Sequence, residues 1–183
     1  MEQHHFSGEN RLFDKQKALK RAFEEVEKLT DKLGTPIDPG IKETVALLRA
    51  MDFPTDSSCA GHTNEDGKGY GTPHVRIYSP APKGWWEDRY NQQLREQWRQ
   101  ENLKHRARFQ PLLEEYNKSR NVSEDIRLRM RDIGRFGAYT LENGKTHKFN
   151  TDEDIIAQIK AFQNEMKAFT EFLKKKYFEQ PDS

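Results

Sequence analysis

The sequence lacks several features that would place it in a broad class of proteins. It has one cysteine, Cys59, among 183 residues, so no internal disulfide can form. Its 31 basic and 30 acidic residues give a net charge of +1, so there is no general basic field for nucleic acid or membranes. No apolar run approaches the roughly 20 residues that cross a bilayer, and residues 1–5 do not resemble a signal peptide. We therefore expect a cytoplasmic protein without membrane association.

Apolar residues are also scarce, at 33% of the chain, and the mean hydropathy is -1.08. However, 11 Phe, 6 Tyr and 3 Trp are sufficient for a core if they are well placed. Most of them follow helical or strand periodicity. This pattern predicts long solvated helices around a core rather than disorder.

Four segments have the periodicity of amphipathic helices, at about 10–33, 39–53, 85–118 and 151–178. Asp38 is predicted to cap the second helix, and Pro111 to kink or divide the third. Thr151 with Asp154 is predicted to cap the fourth. The first and fourth helices carry heptad-like seams, which predicts that they pair with each other or with a second subunit.

Four short segments alternate as strands do, at about 55–59, 74–79, 126–131 and 138–142, and the Gly-rich stretch 64–73 is predicted to be a loop. We predict an α+β fold with a four-stranded mixed or antiparallel sheet, built from two helix–strand–strand units and packed with long helices. One domain is expected to cover residues 1–183. Its core spans 36–142, and the terminal helices are extensions.

The end of the first strand is the leading candidate site, with the sequence Ser57-Ser58-Cys59-Ala60-Gly61-His62. Cys59 could act as a nucleophile beside His62 or His74. Alternatively, these three residues could bind a metal such as zinc, completed by water, Glu65 or Asp66. A third reading is an anion site made by the turn N–H groups with Ser57 and Ser58. The same residues also fit a small buried cysteine beside a solvated histidine.

A second candidate is an arginine-lined sheet face. Arg127, Arg129 and Arg131 project together from one strand, and His74, Arg76 and Tyr78 form a similar row on another. Arginine forks bind phosphate, carboxylate or single-stranded nucleic acid. The alternative is an ordinary exposed face on which arginine pairs with glutamate.

Isolated aromatic and histidine residues carry weaker signals. One residue of the pair Trp85-Trp86 is expected to pack in the core, while the other covers the sheet or lines a pocket. His105 and His147 are predicted to be surface residues.

Parts of the chain resemble small bacterial and phage proteins of uncharacterised activity that carry a Ser-Cys-x-Gly-His motif. The resemblance is carried by residues 36–48, Phe53-Pro54-Thr55, Ser58-Cys59-Ala60-Gly61-His62 and residues 133–141. It implies a shared fold over most of 36–142 and no assigned activity. A more distant similarity is to the TYW-type methyltransferase family of wybutosine synthesis, which has a Ser-Cys-Ser-Gly turn after a strand. Here Ala60 replaces the second serine, so the likeness is one of fold alone.

The sequence therefore predicts a module that binds an anionic small molecule, nucleic acid or a partner through the turn and the arginine face. A metal protein or enzyme centred on Cys59, His62 and His74 is the first alternative. An assembly protein that oligomerises through the terminal helices is the second. Catalysis is left open.

Overall fold

The computed structural model describes residues 5–30, 33–64, 69–144 and 151–179, and the side chains of 5–9 lie outside that description. Glu65, Asp66 and His147, which the sequence singled out, also lie outside the described residues. The elements in chain order are α1 His5–Glu27, α2 Pro39–Ala50, β1 Thr55–Cys59, β2 His62–Thr63, β3 Tyr70–Gly71, β4 His74–Ile77, α3 Gln92–Lys118, β5 Leu128–Ile133, β6 Ala138–Asn143 and α4 Asp152–Glu179.

The four longer strands form one sheet in the order β1-β4-β6-β5, and every neighbouring pair is antiparallel. This confirms the predicted α+β fold and shows that the sheet is antiparallel rather than mixed. Strands β2 and β3 form a separate hairpin in which His62 pairs with Gly71. The sequence predicted a loop across 64–73, because two-residue strands are too short to show a strand period.

The two faces of the sheet differ in chemistry. One face buries Val75, Ile77, Leu128, Tyr139 and Leu141 in a core shared with residues of α2, α3 and α4. Directly opposed residues share a face. The other face carries two polar rows that cross the strands. We call it the polar face, and its rows are Cys59-His74-Glu142-Arg129 and Ser57-Arg76-Thr140-Arg131.

Helix α3 differs from its prediction in two ways. It begins at Gln92 rather than near residue 85, and the side chain of Asn91 caps it by accepting a hydrogen bond from Leu94 N at 3.2 Å. It also runs through Pro111 as one helix, so the proline does not divide it, whereas a kink at Pro111 stays a prediction. Phe109 and Leu113 are both buried in the same core. Their packing on either side of the proline holds the helix together against a cost of about 3 kcal/mol.

The terminal helices meet within the chain. Tyr177 Oη donates to the Lys15 carbonyl at 2.9 Å, and Lys15 Nζ donates to the Tyr177 carbonyl at 2.8 Å. This confirms that the two helices pair with each other, whereas a second subunit stays a prediction. The apolar seam of α4 is buried in the core of the same chain, at Ile159, Phe162, Met166, Phe169 and Leu173.

No helix within the described ranges is long and apolar enough to cross a bilayer.

Candidate functional site

The turn after β1 brings Cys59 and His62 together, as the sequence predicted. Gly61 has φ of 82°, and an added Cβ would lie 2.9 Å from Pro73 Cδ, so glycine is required there. The Cys59 Sγ atom accepts from Gly61 N at 3.3 Å and lies 4.0 Å from His62 Nδ1. The thiol and the imidazole are thus in contact at the outer limit for a sulfur hydrogen bond.

Two helices hold this turn. The carboxylate of Asp38, at the start of α2, accepts a hydrogen bond from Ala60 N at 3.1 Å. Gln163 of α4 donates to the Gly61 carbonyl at 3.0 Å. The N–H groups of Ala60 and Gly61 therefore already have acceptors within the protein. Two N–H donors of the predicted anion site are thus used within the protein, while the contribution of Ser57 and Ser58 stays a prediction. The turn joins α2, α4 and the sheet.

The predicted metal set does not assemble in the described residues. His74 lies opposite Cys59 in the β1–β4 register, but its Nδ1 is 3.1 Å from the Thr72 carbonyl. Within the described ranges, no group of three His, Cys, Asp or Glu side chains is arranged to hold a metal ion. Contact between Cys59 and His62 alone gives two of the three or four protein ligands that zinc requires.

The arginines of the polar face are paired with carboxylates. Arg76 makes a two-pronged ion pair with Asp56 at 2.6 and 2.7 Å, which raises the pKa of Arg76. Arg129 and Arg131 both contact Glu142, at 3.4 and 2.7 Å. The arrangement matches the predicted alternative of an ordinary face in which arginine pairs with acid, and it offsets the positive charge expected there.

Arg127 does not belong to this face. Strand β5 begins at Leu128, two residues later than predicted, and Arg127 lies before it. Its Nη1 donates to the Asn117 carbonyl at the end of α3 at 3.1 Å, and its Nε is 3.0 Å from a carboxylate oxygen of Glu124. The predicted row of three parallel arginines is therefore reduced to Arg129 and Arg131.

A cleft that the sequence did not predict lies between α1, the segment after α2, the segment after β4 and the first half of α3. Its volume is about 1040 Å³, at the upper end of the range for small-molecule sites. Apolar groups dominate its lining, among them Ala22, Phe53, Pro54, Pro80, Trp86 and Trp98. Four separate parts of the chain contribute to it, which explains why no local motif marked it.

Ser79 is 5% exposed and lines this cleft. Its backbone N–H donates to Asn102 Oδ1 at 2.8 Å, and its carbonyl accepts from Trp98 Nε1 at 2.7 Å. The hydroxyl Oγ, by contrast, is covered from solvent and has no hydrogen-bond partner in the described structure. The backbone of Ser79 is thus fixed by α3, while its side chain has an unused hydrogen-bonding group next to the cleft.

His105 also lines the cleft, and the prediction that it is a surface residue is wrong in part. The residue is half-buried, and its Nδ1 is buried without a partner among the described residues. Burial lowers the pKa of His105, and the nearby Arg108 lowers it further. The imidazole is therefore neutral near pH 7. A helical signal was available, because His105 lies on the stripe that joins Trp98 to Phe109.

One tryptophan of the pair Trp85-Trp86 is buried and the other lines a pocket, as predicted. Trp85 is 7% exposed and packs edge-on against Trp98 and Phe136, with ring centroids at 5.0 and 5.3 Å. Trp86 is 66% exposed and lines the cleft, and the guanidinium of Arg89 lies 4.8 Å from its ring centroid. Trp85 therefore anchors the segment that presents Trp86 at the edge of the cleft.

No protein-family model, no curated protein and no solved structure matches this chain. A functional assignment therefore depends on the geometry of its own residues.

Proposed function

We propose that this protein binds a small molecule in the cleft lined by Ser79, Trp86 and His105. The observation that carries the proposal is the hydroxyl of Ser79, which is buried beside the cleft and has no hydrogen-bond partner among the described residues. An unsatisfied buried hydroxyl costs about 1–3 kcal/mol. Because Oγ is covered from solvent, the Ser79 side chain must change its χ1 rotamer, a turn of about 120°, before the hydroxyl reaches a ligand in the cleft.

The composition of the cleft supports the same function. Ligand sites are largely apolar, with a few polar groups that fix the orientation of the ligand. Here Phe53, Pro54 and Pro80 provide apolar lining. Ser79 and His105 provide polar atoms that have no partner in the described part of the chain. Trp86 adds an aromatic ring to the lining, as is common in ligand sites. The anion site first expected at the turn and polar face has less support, because its N–H groups and arginines already have partners.

Titration with Nile red, an uncharged aromatic dye, tests the proposal. We expect saturable binding of one dye per chain and a loss of about three- to tenfold in affinity for Trp86→Ala, because ring contacts contribute about 0.5–1.5 kcal/mol. Tyr90→Ala is the matched control. Tyr90 is also exposed and also contacts an arginine, but it does not line the cleft.

A second pair of variants fills the cleft without disturbing the core. Ala18 is exposed on α1 and lines the cleft, whereas its neighbour Lys17 is exposed and does not. We expect Ala18→Trp to reduce dye binding and Lys17→Trp to leave it unchanged. Unsaturable dye binding, or equal effects of the two substitutions, would overturn the proposal.

A further inference from the structure

We infer that the cleft selects an uncharged ligand with an aromatic body and one hydrogen-bonding group. The inference rests on the proposed function and adds the chemical class of the ligand. It reverses the expectation of an anion that the arginine-rich sequence suggested.

Most carboxylates of the cleft lining are paired with cations that lie outside the lining. Asp56 is held by Arg76 at 2.6 Å, and Glu101 by Lys104 at 2.7 Å. Asp52 is 3.4 Å from Arg108. These are three of the four carboxylates in the lining, and the fourth, Glu25, faces a cleft that also contains Arg21 and Arg49. Neither sign is in large excess, so the cleft has no strong attraction for an ion of either charge.

The polar atoms that lack partners are themselves neutral. Ser79 has a hydroxyl, and the desolvated imidazole of His105 is uncharged near pH 7. A charged ligand group placed against them would lose its hydration without gaining a counter-ion, which is costly. An amide, hydroxyl or ring nitrogen exchanges one neutral hydrogen bond for another. Both atoms are covered from solvent, so they favour an uncharged polar group once their side chains turn toward the cleft.

The aromatic surroundings favour a flat ligand body. Tyr78 and Trp98 both line the cleft and stack with ring centroids at 4.8 Å and planes 16° apart. Trp86 adds an exposed ring at the edge. The other face of Trp98 is stacked on Phe136, so the rings left for a ligand are Trp86 and Tyr78. A planar ring gains offset or edge-on contacts with these two residues that an aliphatic ligand does not.

Three indole derivatives that differ in charge test the selectivity by calorimetry on the full chain. Indole-3-acetamide is neutral, indole-3-acetate is an anion and tryptamine is a cation. We expect the amide to bind about tenfold more tightly than either ion, which corresponds to about 1.4 kcal/mol. Equal or tighter binding of one ion would overturn the inference that the ligand is uncharged. The proposal that the cleft binds a small molecule would not be affected.

The Ser79→Ala variant tests the role of the hydroxyl. It should fold at least as stably as the unchanged protein, because it removes an unsatisfied buried group. We expect it to bind the amide about three- to tenfold more weakly and naphthalene, which has an aromatic body without a hydrogen-bonding group, with unchanged affinity. An equal loss for naphthalene would overturn the role of the hydroxyl. Failure of all the indoles and of Nile red to bind would overturn the proposed function as well.

Discussion

Asp38 accepts a hydrogen bond from the backbone N–H of Ala60, 22 residues further along the chain, at 3.1 Å. The sequence predicted that Asp38 caps its own helix, but its side chain makes no capping bond to α2. The carboxylate instead joins the start of α2 to the turn that contains Cys59 and His62. A residue with the signature of a local cap therefore makes a long-range contact.

Replacing Asp38 with alanine tests this contact. We expect the free energy of unfolding to fall by about 1–2 kcal/mol, because Ala60 loses a charge-assisted hydrogen bond. The amide of Ala60 should exchange with solvent faster, as measured by NMR hydrogen exchange. Asp38→Asn keeps an acceptor and should retain most of the protection. Faster exchange confined to the first turn of α2, with Ala60 unchanged, would indicate a helix cap instead.

Glu142 controls the charge of the polar face. Its side chain is 16% exposed and contacts both Arg129 and Arg131. We expect Glu142→Gln to bind a short oligothymidylate several-fold more tightly at low salt, because two arginines lose their shared carboxylate. The salt dependence of binding should also steepen by about one counterion per additional phosphate contact.

Glu114→Gln is the matched control for this experiment, since it removes the same charge from an exposed site on α3 that bonds only to Gln110 among the described residues. Fluorescence anisotropy at several salt concentrations measures both effects. If the unchanged protein already binds the oligonucleotide as tightly as Glu142→Gln, then pairing with Glu142 does not limit the arginine face.

A buried charge links α3 and α4. Glu165 is 2% exposed and accepts hydrogen bonds from Tyr116 Oη and Arg120 Nη2, both at 2.7 Å. Removing one partner of a buried pair costs about 3–5 kcal/mol. Because Arg120 is partly exposed, we expect Arg120→Met to cost about 2–3 kcal/mol, less than that range.

A double-mutant cycle isolates this pair. The combination of Arg120→Met and Glu165→Met should be less destabilising than the sum of the two single changes, since it leaves no unpaired buried charge. Urea unfolding measures all four proteins. Strict additivity within about 0.3 kcal/mol would show that the two side chains are not coupled.

Local patterns predicted much of the fold, and they failed where distant segments meet. The alternation of Val75, Ile77, Leu128 and Met130 predicted the strands, because one face of each is buried. The apolar stripe of helix α3 predicted the body of the helix correctly. It did not predict where the helix begins, since the residues before Asn91 form turns. The cleft could not be predicted, because Ala18, Phe53, Ser79 and His105 come together only through tertiary packing.

The same limit applies to the candidate site at the turn. Contact between Cys59 and His62 follows from their spacing of three residues and was predicted. The hydrogen-bond and ion-pair partners of the turn and of the arginines were not predicted. These partners, Asp38, Gln163 and Glu142, lie far away in sequence. Sequence spacing thus located a structured turn, but its chemistry depends on contacts that spacing does not report.

His105 makes stability depend on pH in a predictable direction. Burial lowers its pKa in the folded protein below the ordinary value of 6.5. Arg108 and Lys104 act in the same direction, whereas Asp52 and Glu101 oppose it. The unfolded chain therefore binds a proton at a higher pH than the folded protein does. The contribution of His105 to the free energy of unfolding is complete above pH 6.5. This contribution is lost as the pH falls from 6.5 towards the pKa of His105 in the folded protein.

Comparison with His105→Gln separates this residue from the other titrating groups, since glutamine cannot take up the proton. We expect the unchanged protein to lose more stability than His105→Gln between about pH 7.5 and pH 5.5, a window that spans the ordinary histidine pKa. Urea unfolding at the two pH values measures the difference. All other side chains are the same in the two proteins, so their contributions cancel. An equal loss in the two proteins would mean that His105 takes up its proton as readily folded as unfolded, and that the imidazole beside the cleft is solvated rather than buried.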